Sequence, residues 1–198
     1  TSLAANDNFG SSVSLNSAGD RLAVGTNSNL GKVYLFSFSG SSFAGGTLES
    51  VIGVGNTGGK NIDMTGYVEA GDQFAKGVSF NGVGDRLAVA SSSDDGFGIA
   101  NTTANDYGAA YLFSFDSING VTDFSNGQIA GIIGHGYTGG KNVDLSSVLG
   151  AGDAFGAAVS LNAAGDRLAA SIPNRKNNEG AVYLFSFTDT DFTGGTLT

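Results

Sequence analysis

The chain has no cysteine, a single proline and only 9 basic residues against 18 acidic ones, and each shortage closes off a class of protein. Without cysteine there is no disulfide framework, no thiolate metal site and no cysteine nucleophile. That composition fits a cytosolic protein and equally a bacterial surface protein. A net charge of −9 argues against a nucleic-acid partner, which needs clustered Lys and Arg, and against electrostatic docking on anionic membranes. Divalent cations remain open as partners. No apolar run is long enough to span a bilayer, and residues 1–5 do not read as a signal peptide.

What is abundant is glycine, at 33 residues, and phenylalanine, at 14. Glycine without a G-X-Y period is not collagen, and 40% hydrophobic residues is too many for low-complexity disorder. The excess glycine reads as many tight turns between short strands.

The chain repeats. Asp7 to Val24 (DNFGSSVSLNSAGDRLAV), Asp72 to Val89 (DQFAKGVSFNGVGDRLAV) and Asp153 to Ala170 (DAFGAAVSLNAAGDRLAA) align without a gap. A second block follows each: Gly31 to Phe38, Gly108 to Phe115 and Gly180 to Phe187, all ending YLFSF. Phe43, Phe124 and Phe192, each shortly before glycine, form a third. A fourth, TGGKN(I/V)D, occurs at Thr57 to Asp63 and Thr138 to Asp144. The third copy stops before this block, as a segment of a longer array would. The units expected are 1–66, 67–147 with a long insertion, and 148–198, truncated, together forming one domain or part of a longer array.

Val13 and Leu15 alternate with Ser12, Ser14 and Asn16, the period of a strand. Asn16 to Asp20 reads as a turn, with the Asn side chain bonding local backbone and Gly19 free to take positive φ. Leu22 and Val24 mark a second strand. Tyr34, Phe36 and Phe38 mark a third, and Leu48, Val51 and Ile52 a fourth, matched by Ile129 to Ile133. No segment shows a convincing helical period. The pattern predicts an all-β chain of three four-stranded antiparallel sheets. Each has one face of large side chains and one of Ser and Ala, able to stack large on small as propeller blades do. Twelve of the 14 Phe fall at repeated positions and are expected in the core.

The run D-x-F-G-x-x-V-S-L-N-x-x-G-D-R-L-A-V followed by G-x-V-Y-L-F resembles the FG-GAP repeat, and in particular the bacterial subgroup found in very long, repetitive secreted or cell-surface proteins. The resemblance implies β-propeller blades, either part of a ring, completed by oligomerisation, or stacked as an open array. It also implies an extracellular or cell-surface place in bacteria. Family members often carry a D-x-D-x-D-G Ca²⁺ loop between their first two strands. Here that place holds Asn16 to Asp20, Asn81 to Asp85 and Asn162 to Asp166, which lack the extra carboxylates, so no metal is expected at the repeat turns.

Few residues offer chemistry. The repeated Asp7, Asp72 and Asp153, and Asp20, Asp85 and Asp166 beside their arginines, recur once per unit, whereas a catalytic site occurs once. Turn capping and charge balance explain them better. His135 has no second His or Cys to work with. Lys60 and Lys141 lie in TGGKN loops that fail the Walker pattern, and are expected as solvated turn lysines. The informative irregularity is the insertion at residues 91–106, SSSDDGFGIANTTAND. Its Asp94, Asp95, Asn101, Asn105 and Asp106 cluster hard oxygens of the kind Ca²⁺ prefers, with Asp94, Asp95 and Asp106 the metal candidates. The spacing fits no EF-hand, and the default is a loop rich in Asx turns.

Three expectations result. The first is a non-catalytic structural or adhesive module of a large extracellular bacterial surface or filament protein, partnered by itself or by neighbouring repeats. The second is a propeller-like head binding a glycan or protein ligand, with Ca²⁺ assisting. The third, an enzyme, has no catalytic constellation behind it.

Overall fold

The computed structural model describes residues 3–40, 42–99, 105–118 and 121–198. The first sheet has the order β1-β2-β3-β4-β5, from β1 (Ser12–Leu15), β2 (Arg21–Thr26), β3 (Lys32–Ser37), β4 (Thr47–Gly53) and β5 (Ile62–Asp63). The second runs β12-β11-β8-β7-β6, from β6 (Phe74–Phe80), β7 (Arg86–Ser91), β8 (Ala109–Ser114), β11 (Gln128–Gly134) and β12 (Val143–Asp144). A small hairpin, β9 (Ser117–Ile118) with β10 (Val121–Thr122), interrupts it in sequence. The third sheet is β13-β14-β15-β16, from β13 (Val159–Leu161), β14 (Arg167–Ile172), β15 (Ala181–Ser186) and β16 (Thr196–Leu197).

Among the described residues the chain is thus all-β apart from one helical turn, Arg175–Asn178, within which Lys176 and Asn177 take left-handed φ values of 48° and 59°. The four antiparallel strands fall where the sequence pattern placed them. The expectation of four strands per unit is corrected in the first two sheets. There the TGGKN(I/V)D block adds a fifth, parallel strand, pairing Ile62 with Ile52 and Val143 with Ile133. Asn61 and Asn142 set it up, their side-chain oxygens accepting from the N–H of Val51 and Ile132 at 2.8 Å.

The repeated Asn-x-x-Gly-Asp segments form the same turn three times. Asn16 Oδ1 accepts from Asp20 N and Arg21 N at 3.1 Å, and Asn162 Oδ1 from Gly165 N, Asp166 N and Arg167 N at 2.9–3.1 Å. In all three copies the Asn amide also donates to the turn Asp at 2.8 Å. The earlier aspartates cap another turn: Asp7, Asp72 and Asp153 accept from the N–H three residues before them at 2.7–2.8 Å. The recurrent carboxylates are therefore turn caps, as their repetition implied.

The sheets pack face to face, small on large. Ala23, Val33 and Leu35 of the first sheet share a core with Phe74, Phe80, Leu87, Val89 and Phe113 of the second. Ala88, Ala110 and Leu112 on the other face of the second sheet meet Phe155, Leu168 and Phe185 of the third. First strands approach most closely, β1 to β6 and β6 to β13, so the sheets fan out from one side like blades. That approach needs glycine. A Cβ on Gly31, at φ +55°, would lie 1.9 Å from Phe74 O, and one on Gly108, at φ +85°, 2.0 Å from Phe155 O.

Polar groups join the same surfaces. Ser17 N donates to Gly82 O at 3.0 Å and Gly82 N to Ala163 O at 2.8 Å, linking the three Asn turns in a row. Phe80 N donates to Ser14 Oγ at 3.0 Å, and Leu161 N to Ser79 Oγ at 2.9 Å. The expectation of solvated lysines is corrected here. Lys60 Nζ donates to Glu49 Oε2 at 2.8 Å and to Asp123 O in a loop of the second unit at 2.7 Å, and Lys141 Nζ reaches Asp191 O in a loop of the third unit at 2.8 Å. Nor is every repeated Phe core: Phe9 and Phe43 are exposed, while their counterparts Phe74, Phe155, Phe124 and Phe192 are fully buried.

Candidate functional site

The insertion in the second unit departs most from the repeat, and it builds a cavity of about 280 Å³. The turn before β6 supplies Tyr67, Glu69 and Asp72, the insertion supplies Asp94, Asp95 and Phe97, and Tyr137 follows β11. Asp72, Asp94 and Asp95 are all buried, although three carboxylates in one wall are costly to desolvate.

Asp94 is held from several sides. Tyr111 OH donates to its Oδ2 at 2.7 Å, Tyr137 OH lies 3.1 Å from both oxygens, and Gly96 N donates to Oδ1 at 2.8 Å. Tyr111 is the counterpart of Tyr34 and Tyr183 in the repeated YLFSF block, and the insertion that precedes it brings the Asp94 carboxylate onto its hydroxyl. Burial raises the Asp94 pKa, with the Asp95 charge adding to it and the tyrosine and backbone hydrogen bonds opposing. Both phenol pKa values are raised, by burial first and then by the Asp94 charge.

Asp72 shows what the insertion changes. In the third unit the equivalent Asp153 is paired with Arg175. Asp72 instead faces Asp94, Asp95 and Glu69, and its pKa is pushed up to about 7, by burial first and then by those charges.

The sequence candidates do not converge on one point. Asp94 and Asp95 line the cavity. Asp106 lies behind it, its pKa raised by burial and by Asp95, with its carboxylate hydrogen-bonded to Ser93 and its carbonyl accepting from Ala154 N. Asn105 is half-buried next to it, and Asn101 lies outside the described residues. Among the described residues no group of three or more His, Asp or Glu side chains is placed to hold a metal ion. Both Asp94 oxygens accept hydrogen bonds from tyrosine and backbone donors. Sequence reasoning missed Glu69, Tyr67 and Tyr137 and read Asp72 only as a turn cap, because all four come from segments that read as ordinary turns of the repeat. His135 stacks on Tyr107 with ring centroids 4.0 Å apart and accepts from Phe97 N at its carbonyl, fastening the insertion to the end of β11.

No protein-family model matches the chain, and no curated protein matches it. Among solved structures it is similar to the β-propeller domain of Cps50 (Swd1) from Myceliophteria thermophila, at 11% identity and a TM-score of 0.48. That match covers all of this chain and 38% of the other, so the chain spans well under half of that structure's length.

Proposed function

We propose that the chain is a non-catalytic structural and adhesive module of a large extracellular bacterial surface or filament protein, built to pack blade on blade. One observation carries this reading: the residues the repeat keeps are used up in making blades and joining them. Asp72 and Asp153 cap turns, Asn81 and Asn162 hold hairpins, Lys60, Lys141 and Arg86 cross to the next blade, and Phe74, Phe124, Phe155 and Phe192 fill the joints. The resemblance of those same residues to the bacterial FG-GAP subgroup supports the extracellular placing. The experiment is antibody labelling of intact native cells together with protease shaving. Signal on intact cells that shaving removes is the expected result; signal confined to lysed cells overturns the reading.

A second reading, a binding head for a glycan or protein ligand, is favoured by the cavity, because it breaks the repeat in one unit only. Carboxylates beside the exposed rings of Tyr67 and Phe97 are groups that sugar hydroxyls and sugar faces can meet. A glycan array answered by the chain and lost with Phe97→Ala supports it; an array without hits counts against it.

A further inference from the structure

The two outer faces of the blade stack are the two halves of an interface that the chain already makes twice. In each internal joint the small face of one blade, represented by Val33 and Leu35 or by Ala110 and Leu112, is fully buried. The third blade carries Val182 and Leu184 at the same repeat positions, and there they are 61% and 54% exposed. The large face behaves likewise. Phe74 and Phe155 are fully buried in the joints, as are Phe124 and Phe192. Their first-blade counterparts Phe9 and Phe43 are 43% and 55% exposed, and Val13 is 63% exposed where Val78 is buried. Exposed apolar side chains scattered singly need no explanation, but contiguous faces do.

The shapes match this division. The third blade's outer face holds a hollow of about 540 Å³ bordered by Ser160, Ala169 and Leu184. Their counterparts Ser79, Ala88 and Leu112 lie in the joint of the second blade with the third. Polar partners match as well. Ser14 Oγ and Ser79 Oγ each accept a backbone N–H from the next blade, a bond for which Ser160 and Leu15 are the corresponding pair. Gly180 corresponds to Gly31 and Gly108, yet a Cβ there would meet nothing closer than Pro173 O at 3.5 Å. Its room is what an approaching strand would fill.

Building on the blade-packing reading above, we propose that the occupant of each outer face is a second copy of this chain, docked head to tail. The large face of its first blade seats on the small face of the third. Such a contact is heterologous and closes only if the rotation returns. Two copies supply six blades, within the range of about four to eight of closed propellers, so a pair of these 198-residue chains suffices for a ring.

The test uses light scattering on the 198-residue chain and on two variants, Val13→Arg and Leu184→Arg, each altered at an exposed side chain. The wild type is expected at about twice the 19.8 kDa of the chain, and each variant alone at the single mass. Mixed, the variants are expected to form a one-to-one pair, because one retains a working tail and the other a working head. A wild type that stays monomeric at sub-millimolar concentration overturns the proposal. So do a mass that keeps growing with concentration and a mixture that stays monomeric. Circular dichroism of each variant confirms that loss of association is not loss of fold. A stable monomer found on intact cells would sink this inference while leaving the structural reading standing.

Discussion

Lys60 Nζ lies 2.7 Å from the carbonyl oxygen of Asp123, so a side chain in a glycine-rich loop of the first blade ties down the loop that follows the third strand of the second. The same ammonium holds Glu49 at 2.8 Å. Hydrogen bonding to Lys60 lowers the Glu49 pKa and raises that of Lys60.

Lys60→Met is therefore expected to destabilise the chain by about 1 kcal/mol in chemical denaturation, the scale of a partly exposed charge-assisted hydrogen bond. Lys141→Met, which loses the single contact to Asp191, should cost less. Glu49 has a folded-state pKa below its unfolded value. Its contribution is present above the unfolded pKa and lost as pH falls through the folded one. The Lys60→Met penalty should shrink accordingly in acid.

The three Asn turns give a graded test within one molecule. Asn81 is buried, and its Oδ1 accepts from Gly84 N at 2.8 Å and Arg86 N at 3.1 Å. Asn162 makes the same bonds at an exposed turn. Asn81→Ala should cost about 2–3 kcal/mol, since it strands buried donors, and Asn162→Ala about 1 kcal/mol. Equal losses in urea melts would show that burial of the turn against the next blade does not matter.

The acidic cavity makes stability depend on pH. The folded-state pKa of Asp72, about 7, lies above its ordinary value of 3.8. The folded chain thus holds a proton that the unfolded chain gives up, and stability falls as pH rises from about 4 to about 7. Asp94, shifted the same way, adds to the fall. Asp72→Asn keeps an acceptor for Glu69 N and removes a charge. It is expected to be more stable than wild type at pH 8 by about 1–2 kcal/mol and little different near pH 4. A variant less stable at both pH values would contradict this.

How far the sequence disclosed the structure depended on whether a feature belonged to the repeat. The antiparallel strands were legible because Val13 and Leu15 alternate with Ser12, Ser14 and Asn16, and Leu22 and Val24 with the small Ala23 and Gly25. Large-on-small stacking was legible from Ala23 and Ala88 set against Leu22 and Leu87. The parallel fifth strand was not, because Ile62–Asp63 and Val143–Asp144 are two residues long and carry no period. Lys60 looked solvated because Asp123 is far away along the chain. The cavity was half legible: Asp94 and Asp95 stood out in the insertion, but only folding brings Asp72, Glu69 and Tyr137 beside them. The exposure of Phe9 and Phe43 could not be read locally, since their surroundings in sequence match those of buried counterparts.

Hydrogen exchange followed at low and high protein concentration tests the blade-on-blade account most directly. The account predicts that amides of β1 and β15 gain protection as concentration rises. Those of β7 and β8, whose blade is covered on both faces within one chain, should be slow throughout. Exchange in β1 and β15 that ignores concentration would contradict it, and so would β7 and β8 exchanging as fast as the outer blades.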